Sequence, residues 1–292
     1  MKSQPTVEIS NWGRWGPSDE RGTLNWITPE VIAKAARLVK KGKVYNLSVE
    51  IHKDTPCAPH KNTPWKQGLV REDHSVTDRV VFQDALLLNT HGATHMDPLC
   101  HVTYGRKMYN GFPIEGNVSE AGALKCGIDK VGSIVGRGVL LDMARFKGGD
   151  GVPLGYPITP SDLDGCARSQ GVEIGQGDIV LLHTGYLRKF EKDRSLYPTA
   201  PGLGRASIPW LAEKRLTAVG ADTVGVEVKP PEDPARALVV HEHFIRDLGG
   251  YLLELMDLEE LARDKVYEFL FIAAPLRVRN GMGGLICPLA IA

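Results

Sequence analysis

The chain has few cysteines and no apolar run long enough to cross a membrane. Five cysteines among 292 residues, odd in number and widely spaced, make a poor disulfide framework and indicate a reducing compartment. The first residues contain no apolar stretch of the kind found in signal peptides. The apolar run at 269–276 is too short to span a bilayer. We therefore expect a cytoplasmic protein that does not insert into membranes.

The chain also has no excess of positive or negative charge. Its 35 basic residues balance 35 acidic ones, and the pI is near 7.1. No basic stripe is visible, so nucleic acid is not an expected partner. A content of 42% hydrophobic and 24% charged residues is typical of an ordinary globular protein. Apolar stretches that indicate strands alternate with short helical patterns, which predicts an α/β or α+β class with a mixed sheet.

The chain does contain a dense cluster of metal-binding residue types. Residues 91–101 read His-Gly-Ala-Thr-His-Met-Asp-Pro-Leu-Cys-His. His91, His95 and His101 supply imidazoles and Asp97 supplies a carboxylate, which are ligands that Zn, Mn and Fe sites use. Burying so many polar groups without partners would be costly. The segment therefore predicts a metal site.

Simple geometry predicts that the backbone bends within this cluster. A straight strand would separate His91 from His95 by about 13 Å, which is too far for two ligands of one ion. Gly92 is the permissive position for a bend. Asp97 precedes a proline, which favours an extended conformation. We expect a strand over 80–89, then a tight turn, then an extended exit.

Local patterns predict several other elements. Three tryptophans before residue 27 indicate an arm that packs its indoles on the chain's own core or on a neighbouring subunit. Thr159 and Asp162 form a box-like helix cap. The remaining expected elements are a helix from Thr28–Glu30 to Lys41, a strand over 45–51, a functional loop over 53–74, a buried strand over 179–183, a helix over 241–248 and an extended segment over 251–255.

The cluster fits the pattern His-x-x-Thr-His-x-Asp-x-x-x-His, which resembles the signature of the cyclase family of metal-dependent hydrolases. That family includes kynurenine formamidase, isatin hydrolase and trans-dienelactone hydrolase. Segments 45–48 and 177–185 resemble further family strands, so the likeness extends over roughly residues 40–292. It implies a swivelling β/β/α fold over 41–292, assembled as homodimers or homotetramers, preceded by an arm and helix over 1–40.

The resemblance also implies which residues act. His91, His95 and Asp97 match the ligands of a first ion, and Asp97, His241 and Glu254 match those of a second. His101 matches a histidine that acts beside the metal. The expected cofactor is Mn²⁺ or Zn²⁺, with one or two ions per chain.

The residues themselves support these assignments unequally. Glu254 interrupts the apolar run Leu-Leu-Glu-Leu, and a buried charge needs a partner or a metal. His241 is favoured over His243 by the resemblance alone. Cys100 is more typical of a small buried residue than of a metal ligand. His183 is more typical of a core histidine with hydrogen-bond partners than of a residue that lines the pocket.

These features lead to a hypothesis of a metal-dependent hydrolase acting on a small molecule. A metal-activated water would open a cyclic amide or ester, or cleave an aryl formamide. His101 would transfer a proton, and Glu254 would hold a metal or orient the water. Two alternatives stay open: a non-haem iron oxygenase with two histidines and one carboxylate, and a non-enzymatic scaffold stabilised by a metal. The pocket is expected to use residues of the arm, the 53–74 loop and the 281–284 segment.

Overall fold

A computed structural model describes residues 9–58, 67–74, 79–149 and 151–292. In these residues nine strands form one mixed sheet, and three two-stranded sheets lie beside it. The strands are β1 Val44–Asn46, β2 Gln67–His74, β3 Arg79–Leu86, β4 His95–Asp97, β5 Val118–Ser119, β6 Gly122–Ala123, β7 Ile134–Asp142, β8 Pro157–Ile158, β9 Ile179–His183, β10 Gly202–Leu203, β11 Ala218–Ala221, β12 Tyr251–Glu254, β13 Glu268–Ala273, β14 Gly284–Leu285 and β15 Leu289–Ile291.

The large sheet has the order β1-β15-β13-β7-β9-β11-β12-β4-β14. Its centre, β7-β9-β11-β12, is parallel, and antiparallel strands complete both sides. Strand β9 is buried throughout, as its apolar sequence Ile-Val-Leu-Leu predicts for the middle of a parallel sheet. The predicted mixed α/β architecture is thus confirmed. No helix in the described part of the chain is long and apolar enough to cross a membrane.

The helices are short and lie in the connections between strands. They are α1 Pro29–Ala36, α2 Met143–Phe146, α3 Pro160–Gln170, α4 Tyr186–Lys192, α5 Ile208–Lys214, α6 Val239–His241 and α7 Glu259–Arg263, and a single π-helical stretch, Glu242–Asp247, follows α6 directly. The Thr28 hydroxyl accepts a hydrogen bond at the start of α1, and Thr159 and Asp162 form a complete capping box on α3. Both predicted helix starts are confirmed.

Several predicted boundaries are wrong. Helix α1 ends at Ala36 rather than Lys41, because the chain continues in i→i+3 turns to Val39. Strand β1 stops at Asn46, whose side chain accepts hydrogen bonds from the backbone and hydroxyl of Ser48 and so turns the chain.

The third error concerns the predicted 53–74 loop. Its end, Gln67–His74, is strand β2, which pairs antiparallel with β3 along its whole length. Cross-strand hydrogen bonding satisfies the backbone of this polar sequence, which carries little strand signal of its own. Residues 59–66 of the expected loop lie outside the described residues. The strand expected over 80–89 is β3, which ends at Leu86.

The tryptophan-rich arm packs on its own chain. The Trp12 indole N–H donates to the carbonyl of Arg246 over 2.7 Å, and the Arg246 guanidinium lies 4.5 Å from the Trp12 ring centroid. Trp15 and Trp26 meet edge to face with their centroids 5.0 Å apart. The arm therefore covers the helical segment that follows His241.

Candidate metal centre

Strand β4 carries the centre of the histidine cluster. His95 and Asp97 share one face of this strand, and Met96 points to the opposite face and into the core. The preceding chain turns at Gly92, whose N–H donates to the Asn89 carbonyl. A Cβ at Gly92 would lie 3.0 Å from the Asn89 oxygen, a tight approach that would require the turn to shift slightly. The predicted bend is confirmed, since the rings of His91 and His95 lie 4.9 Å apart.

The neighbouring strand supplies the distant carboxylate. Strand β12 pairs antiparallel with β4 in a register that places Glu254 directly opposite His95. Helix α6, which precedes β12 in the chain, carries His241, and Nε2 of this residue lies 3.1 Å from Glu254. The structure thus brings together residues that are separated by about 150 positions in the sequence.

The side chains of the cluster converge on the carboxylates of Asp97 and Glu254. One Asp97 oxygen lies 3.0 Å from Nδ1 of His91, 3.5 Å from Nε2 of His95 and 3.7 Å from Nε2 of His101. The two Glu254 oxygens lie 3.3 Å from Nε2 of His95 and 3.1 Å from Nε2 of His241. The residues form two sets of possible metal ligands, and within each set the ligand atoms lie within 4.8 Å of one another. The first set is His91, Asp97 and His101, and the second is His95, Asp97 and Glu254, so Asp97 belongs to both.

The outer nitrogen of each buried histidine already has an acceptor. Nε2 of His91 faces the Met282 carbonyl at 3.1 Å, and Nδ1 of His95 faces the Ala93 carbonyl at 2.7 Å. A carbonyl only accepts, so these nitrogens carry the proton in the neutral ring. The inner nitrogen is then a bare lone pair aimed at a carboxylate. Such an arrangement requires a cation between the two groups, either a proton or a metal ion.

Burial and charge support the same conclusion. His95 Nε2 and Asp97 Oδ2 are buried atoms that lack a hydrogen-bond partner. Although burial lowers the pKa of His95, the carboxylates of Asp97 and Glu254 outweigh it and raise that pKa to about 9. The histidines also hold the pKa of Asp97 well below its usual range against the effect of burial. This site therefore attracts positive charge strongly, and its nitrogen and oxygen donors fit a divalent ion.

His101 differs from the other histidines of the cluster. Its ring stacks on that of His91 at 4.1 Å, and its side chain is 25% exposed at the edge of a pocket. Burial lowers the pKa of His101 to about 4, with Asp97 opposing the shift and the neighbouring histidines adding to it. The imidazole is thus neutral at physiological pH and able to accept a proton. Its Nε2 also lies 3.7 Å from an Asp97 oxygen and belongs to the first set of possible ligand atoms. His101 is therefore placed to act as a ligand as well as beside the metal.

Sequence reasoning missed Glu227. One oxygen of this buried carboxylate accepts from Nδ1 of His241 at 2.8 Å, and the other accepts from the Val240 backbone N–H at 2.7 Å. Together with Glu254, it raises the pKa of His241 to about 10, although burial opposes this. Glu227 interrupts the apolar run Val-Gly-Val-Glu-Val, and the same signal had identified Glu254.

Replacing Glu227 by glutamine is expected to weaken binding of a divalent ion about 10- to 100-fold, because the carboxylate orients His241 and increases its basicity. Competition with a fluorescent chelator measures the affinity. Glu259→Gln is the matched control. Glu259 also faces a histidine, His183, at 3.4 Å, but that histidine is not part of the cluster. An unchanged affinity in Glu227→Gln would contradict the positioning role.

Thr94 and Gly283 hold the cluster in place without contributing ligands. The buried Thr94 hydroxyl donates to the Leu255 carbonyl over 2.6 Å and accepts from the Val49 N–H over 2.9 Å. It therefore fixes the backbone beside Glu254. The backbone of Gly283 lies against His91, and a Cβ there would come within 2.3 Å of Nε2 of that ring.

Thr94→Val is expected to lower the free energy of unfolding by about 1–3 kcal/mol, since both backbone partners would be left buried and unpaired. Denaturant unfolding in the presence of a chelator measures this without a contribution from metal. Thr94→Ser keeps the hydroxyl and should lose much less. Equal losses in the two variants would show that the methyl group, not the hydroxyl, stabilises this position.

Three other candidates lie outside the centre. Burial raises the pKa of the Cys100 thiol to about 12, so this group is neutral and a poor ligand. His183 is bound by Asp142 at 2.9 Å and contacts Glu259, as expected for a satisfied core histidine. His243 pairs with Asp247 at 2.7 Å rather than with a carboxylate of the centre.

A pocket of about 820 Å³ opens beside the cluster. His101, His241, Glu227, Glu254 and Lys229 are part of its lining, and the rest of the wall is mostly apolar; it includes Ala58, Tyr197, Pro198, Val224, Pro230 and Leu238. Its volume is suited to a small-molecule ligand. Ala58 comes from the predicted functional loop, whereas the described arm and the 281–284 segment do not line this pocket. The expectation that those two segments contribute to the substrate pocket stays a prediction.

Comparison with known proteins agrees with this geometry. The family described as "Putative cyclase" matches residues 45–228. A solved structure described as a novel cyclase is 35% identical, covers 99% of both chains and superimposes with a TM-score of 0.90. A comparison with curated proteins gave no significant match.

More distant structures share the fold. Isatin hydrolase A from Labrenzia aggregata is 17% identical, with 86% of this chain and 94% of that chain covered and a TM-score of 0.64. Isatin hydrolase A from Ralstonia solanacearum is 18% identical, with 90% and 97% covered and the same TM-score of 0.64. The predicted cyclase-like fold is confirmed. The chain therefore belongs to the cyclase family.

Proposed function

We propose that this protein is a metal-dependent hydrolase that opens a cyclic amide or ester, with cleavage of an aryl formamide as the second candidate reaction. The observation that carries the proposal is the convergence of three buried histidine nitrogens on two carboxylates at the end of a pocket of about 820 Å³. Hydrolases of the same fold that are named for isatin, a cyclic amide, support ring opening. The length of this chain, which resembles the extended family members, favours the same reaction.

The proposed ligands are His91, His95 and Asp97 for one ion, with Asp97, His241 and Glu254 for a second. These residues would hold Mn²⁺ or Zn²⁺, which would lower the pKa of a bound water and polarise the scissile carbonyl. His101, neutral and at the pocket edge, takes the proton from the attacking water and returns it to the leaving group.

The buried protein groups contribute orientation. Ala93 and Glu227 accept from the outer nitrogens of His95 and His241, so the inner nitrogen of each ring is the one that a metal ion would bind in place of a proton. Glu254 would either complete the second ligand set or orient the water. The apolar walls exclude bulk water from the reacting carbonyl.

Two measurements test the reaction. Elemental analysis of protein purified without chelator or added metal should find Mn²⁺ or Zn²⁺ in a substantial fraction of chains. A screen of lactams, lactones and formamides should give products that together weigh one water more than the substrate. Activity that persists in a chelator with no metal bound would overturn the site assignment, and a product carrying an atom from molecular oxygen would favour the iron oxygenase.

We also propose a homodimer or homotetramer that acts in the cytoplasm on a small molecule. The hairpin of β2 and β3 forms a separate sheet and exposes Phe82 and Leu86, with 68% of Phe82 accessible, and the following residue Leu87 is exposed as well. Such an apolar surface supports association with another chain. The structure records none of the five cysteines in a disulfide, which supports a reducing compartment. Light scattering coupled to gel filtration measures the oligomeric state, and a monomer would contradict the proposed homodimer or homotetramer.

A further inference from the structure

The described part of the N-terminal arm binds the end of the helical segment that begins with His241. Carbonyl groups at the end of a helix have no partner within it and must find one elsewhere. In this segment the carbonyls of four successive residues accept from the arm. The Arg246 carbonyl accepts from the Trp12 indole N–H over 2.7 Å, that of Asp247 from the Asn11 N–H over 2.9 Å, that of Leu248 from the Asn11 side-chain amide over 2.8 Å and that of Gly249 from the Thr23 N–H over 2.9 Å.

Packing strengthens the same contact. The Arg246 guanidinium lies over two aromatic rings, 4.5 Å from the centroid of Trp12 and 3.9 Å from that of Tyr104. The backbones of Gly22 and Gly249 also touch, since a Cβ at Gly22 would come within 2.2 Å of the Gly249 carbonyl oxygen. The arm therefore holds the end of the segment through backbone, side-chain and ring contacts together.

The geometry of the segment makes this hold important for His241. Residues Glu242–Asp247 are π-helical, and a π-helical stretch usually behaves as one extra residue within an α-helix. Conversion to α geometry would rotate one end of the segment relative to the other by about 100°, one residue's share of a turn. Strand β12 follows the segment and is fixed in the sheet. Such a rotation would therefore turn the His241 side chain away from Glu254.

The candidate metal centre depends on that orientation. Nε2 of His241 lies 3.1 Å from Glu254, and Nδ1 lies 2.8 Å from Glu227. Glu254 belongs to the sheet, whereas His241 belongs to the helical segment. The distance between the two side chains thus depends on how the segment is set against the sheet, which the contacts of the arm help to determine.

We propose that Asn11 and Trp12 are positioning residues for His241, because they hold the end of the segment and so preserve the π geometry that places this imidazole beside Glu254. They act at a distance, since His241 precedes Arg246 by five positions. The proposal rests on the proposed function only in taking His241 as a ligand. Metal binding tests it without turnover.

A double variant, Asn11→Asp together with Trp12→Phe, removes both side-chain donors but keeps an aromatic ring at position 12 and a side chain of the same size at position 11. Competition with a fluorescent chelator measures the affinity of the full chain for Mn²⁺ and Zn²⁺. We expect the affinity for the ion that His241 would hold to fall about 10-fold, which is within what two hydrogen bonds of typical net strength contribute.

Thr28→Ala is the control for general loss of stability. The Thr28 hydroxyl accepts from the Val31 N–H at the start of α1, and loss of such a cap destabilises a protein to a similar degree. This variant should keep its metal affinity within about two-fold of the wild type. An unchanged affinity in the double variant, or an equal loss in Thr28→Ala, would overturn the positioning role.

The same two substitutions in a His241→Gln background show whether the arm acts through His241. The residue that they position is then gone, so the affinity should change less than about two-fold on adding them. A further loss of about 10-fold in that background would contradict the proposal. Metal binding that depends on the arm through His241 in a protein that hydrolyses nothing would uphold the positioning role and refute the hydrolase function. A wild type that binds no divalent ion would overturn both.

Hydrogen exchange in protein treated with chelator gives a second readout, which requires neither metal nor the His241→Gln variant. The Leu248 N–H donates to the His243 carbonyl over 3.0 Å, an i→i+5 bond of the π geometry. Exchange at Leu248 should quicken about 10-fold in the double variant, while amides of the central strand β9 keep their rates. Equal acceleration at both places would indicate general destabilisation and contradict the proposal.

Discussion

Asp97→Asn is expected to abolish binding of a divalent ion and to lower hydrolysis about a thousand-fold or more. The Asp97 carboxylate belongs to both sets of possible ligand atoms, so its loss would remove a negative charge that any ion bound in the centre would share. A bound metal supplies several kcal/mol of transition-state stabilisation, and each 1.4 kcal/mol or so corresponds to a factor of ten in rate. Elemental analysis and the rate on the best substrate of the screen measure the two effects.

Asp222→Asn is the control for this variant. Asp222 is a buried carboxylate that accepts from the backbone and hydroxyl of Thr184 and from the backbone of Gly185. Its replacement should destabilise the fold and leave metal stoichiometry unchanged. If Asp97→Asn kept its metal, or if both variants lost metal in proportion to their loss of stability, the assignment of Asp97 as the shared ligand would be wrong.

His101→Gln is expected to lower kcat by about 10²- to 10⁴-fold, the range of a general base or acid, while the protein keeps its metal. The expectation rests on the neutral imidazole, whose pKa is lowered to about 4, at the edge of the pocket. Glutamine retains a polar group of similar reach but cannot transfer a proton at neutral pH. Metal content and steady-state kinetics are measured on the same preparation.

The same substitution at His243 provides the comparison, because His243 lies on the neighbouring helical segment and pairs with Asp247. His243→Gln should change kcat less than about three-fold. Loss of metal in His101→Gln would identify His101 as a ligand, consistent with its distance of 3.7 Å from Asp97, and would remove it from the proton-transfer role.

The sequence predicted the local part of the centre well. Three histidines and one carboxylate within eleven residues define a cluster that depends only on a bend and on strand parity, and both are found. The pairing of Glu254 with His95 depends instead on the register of two strands far apart in the chain. Propensity and periodicity contain no information on that register, although the charge within an apolar run indicated that Glu254 needed a partner.

The choice between His241 and His243 shows another limit of the sequence. Both residues lie in one predicted helix, and neither their spacing nor the apolar pattern of that helix shows which of them faces the metal centre. The structure directs His241 to the carboxylates and His243 to Asp247. The backbone changes from α to π geometry at Glu242, which rotates the following side chains and is not encoded in any local pattern we recognise. Glu227 was missed although it carried the same signal as Glu254.

The absence of a side chain at Gly283 has a consequence for how this protein can vary. A methyl group there would meet the ring of His91, which has no space to retreat while it holds both Met282 and Asp97. A change to alanine, conservative by any chemical scale, would thus displace a candidate ligand without altering one reactive group. In a mutational scan, substitutions at Gly283 would therefore be tolerated as poorly as substitutions of the candidate ligands. Inactive natural variants could arise at this position with every metal-binding residue intact.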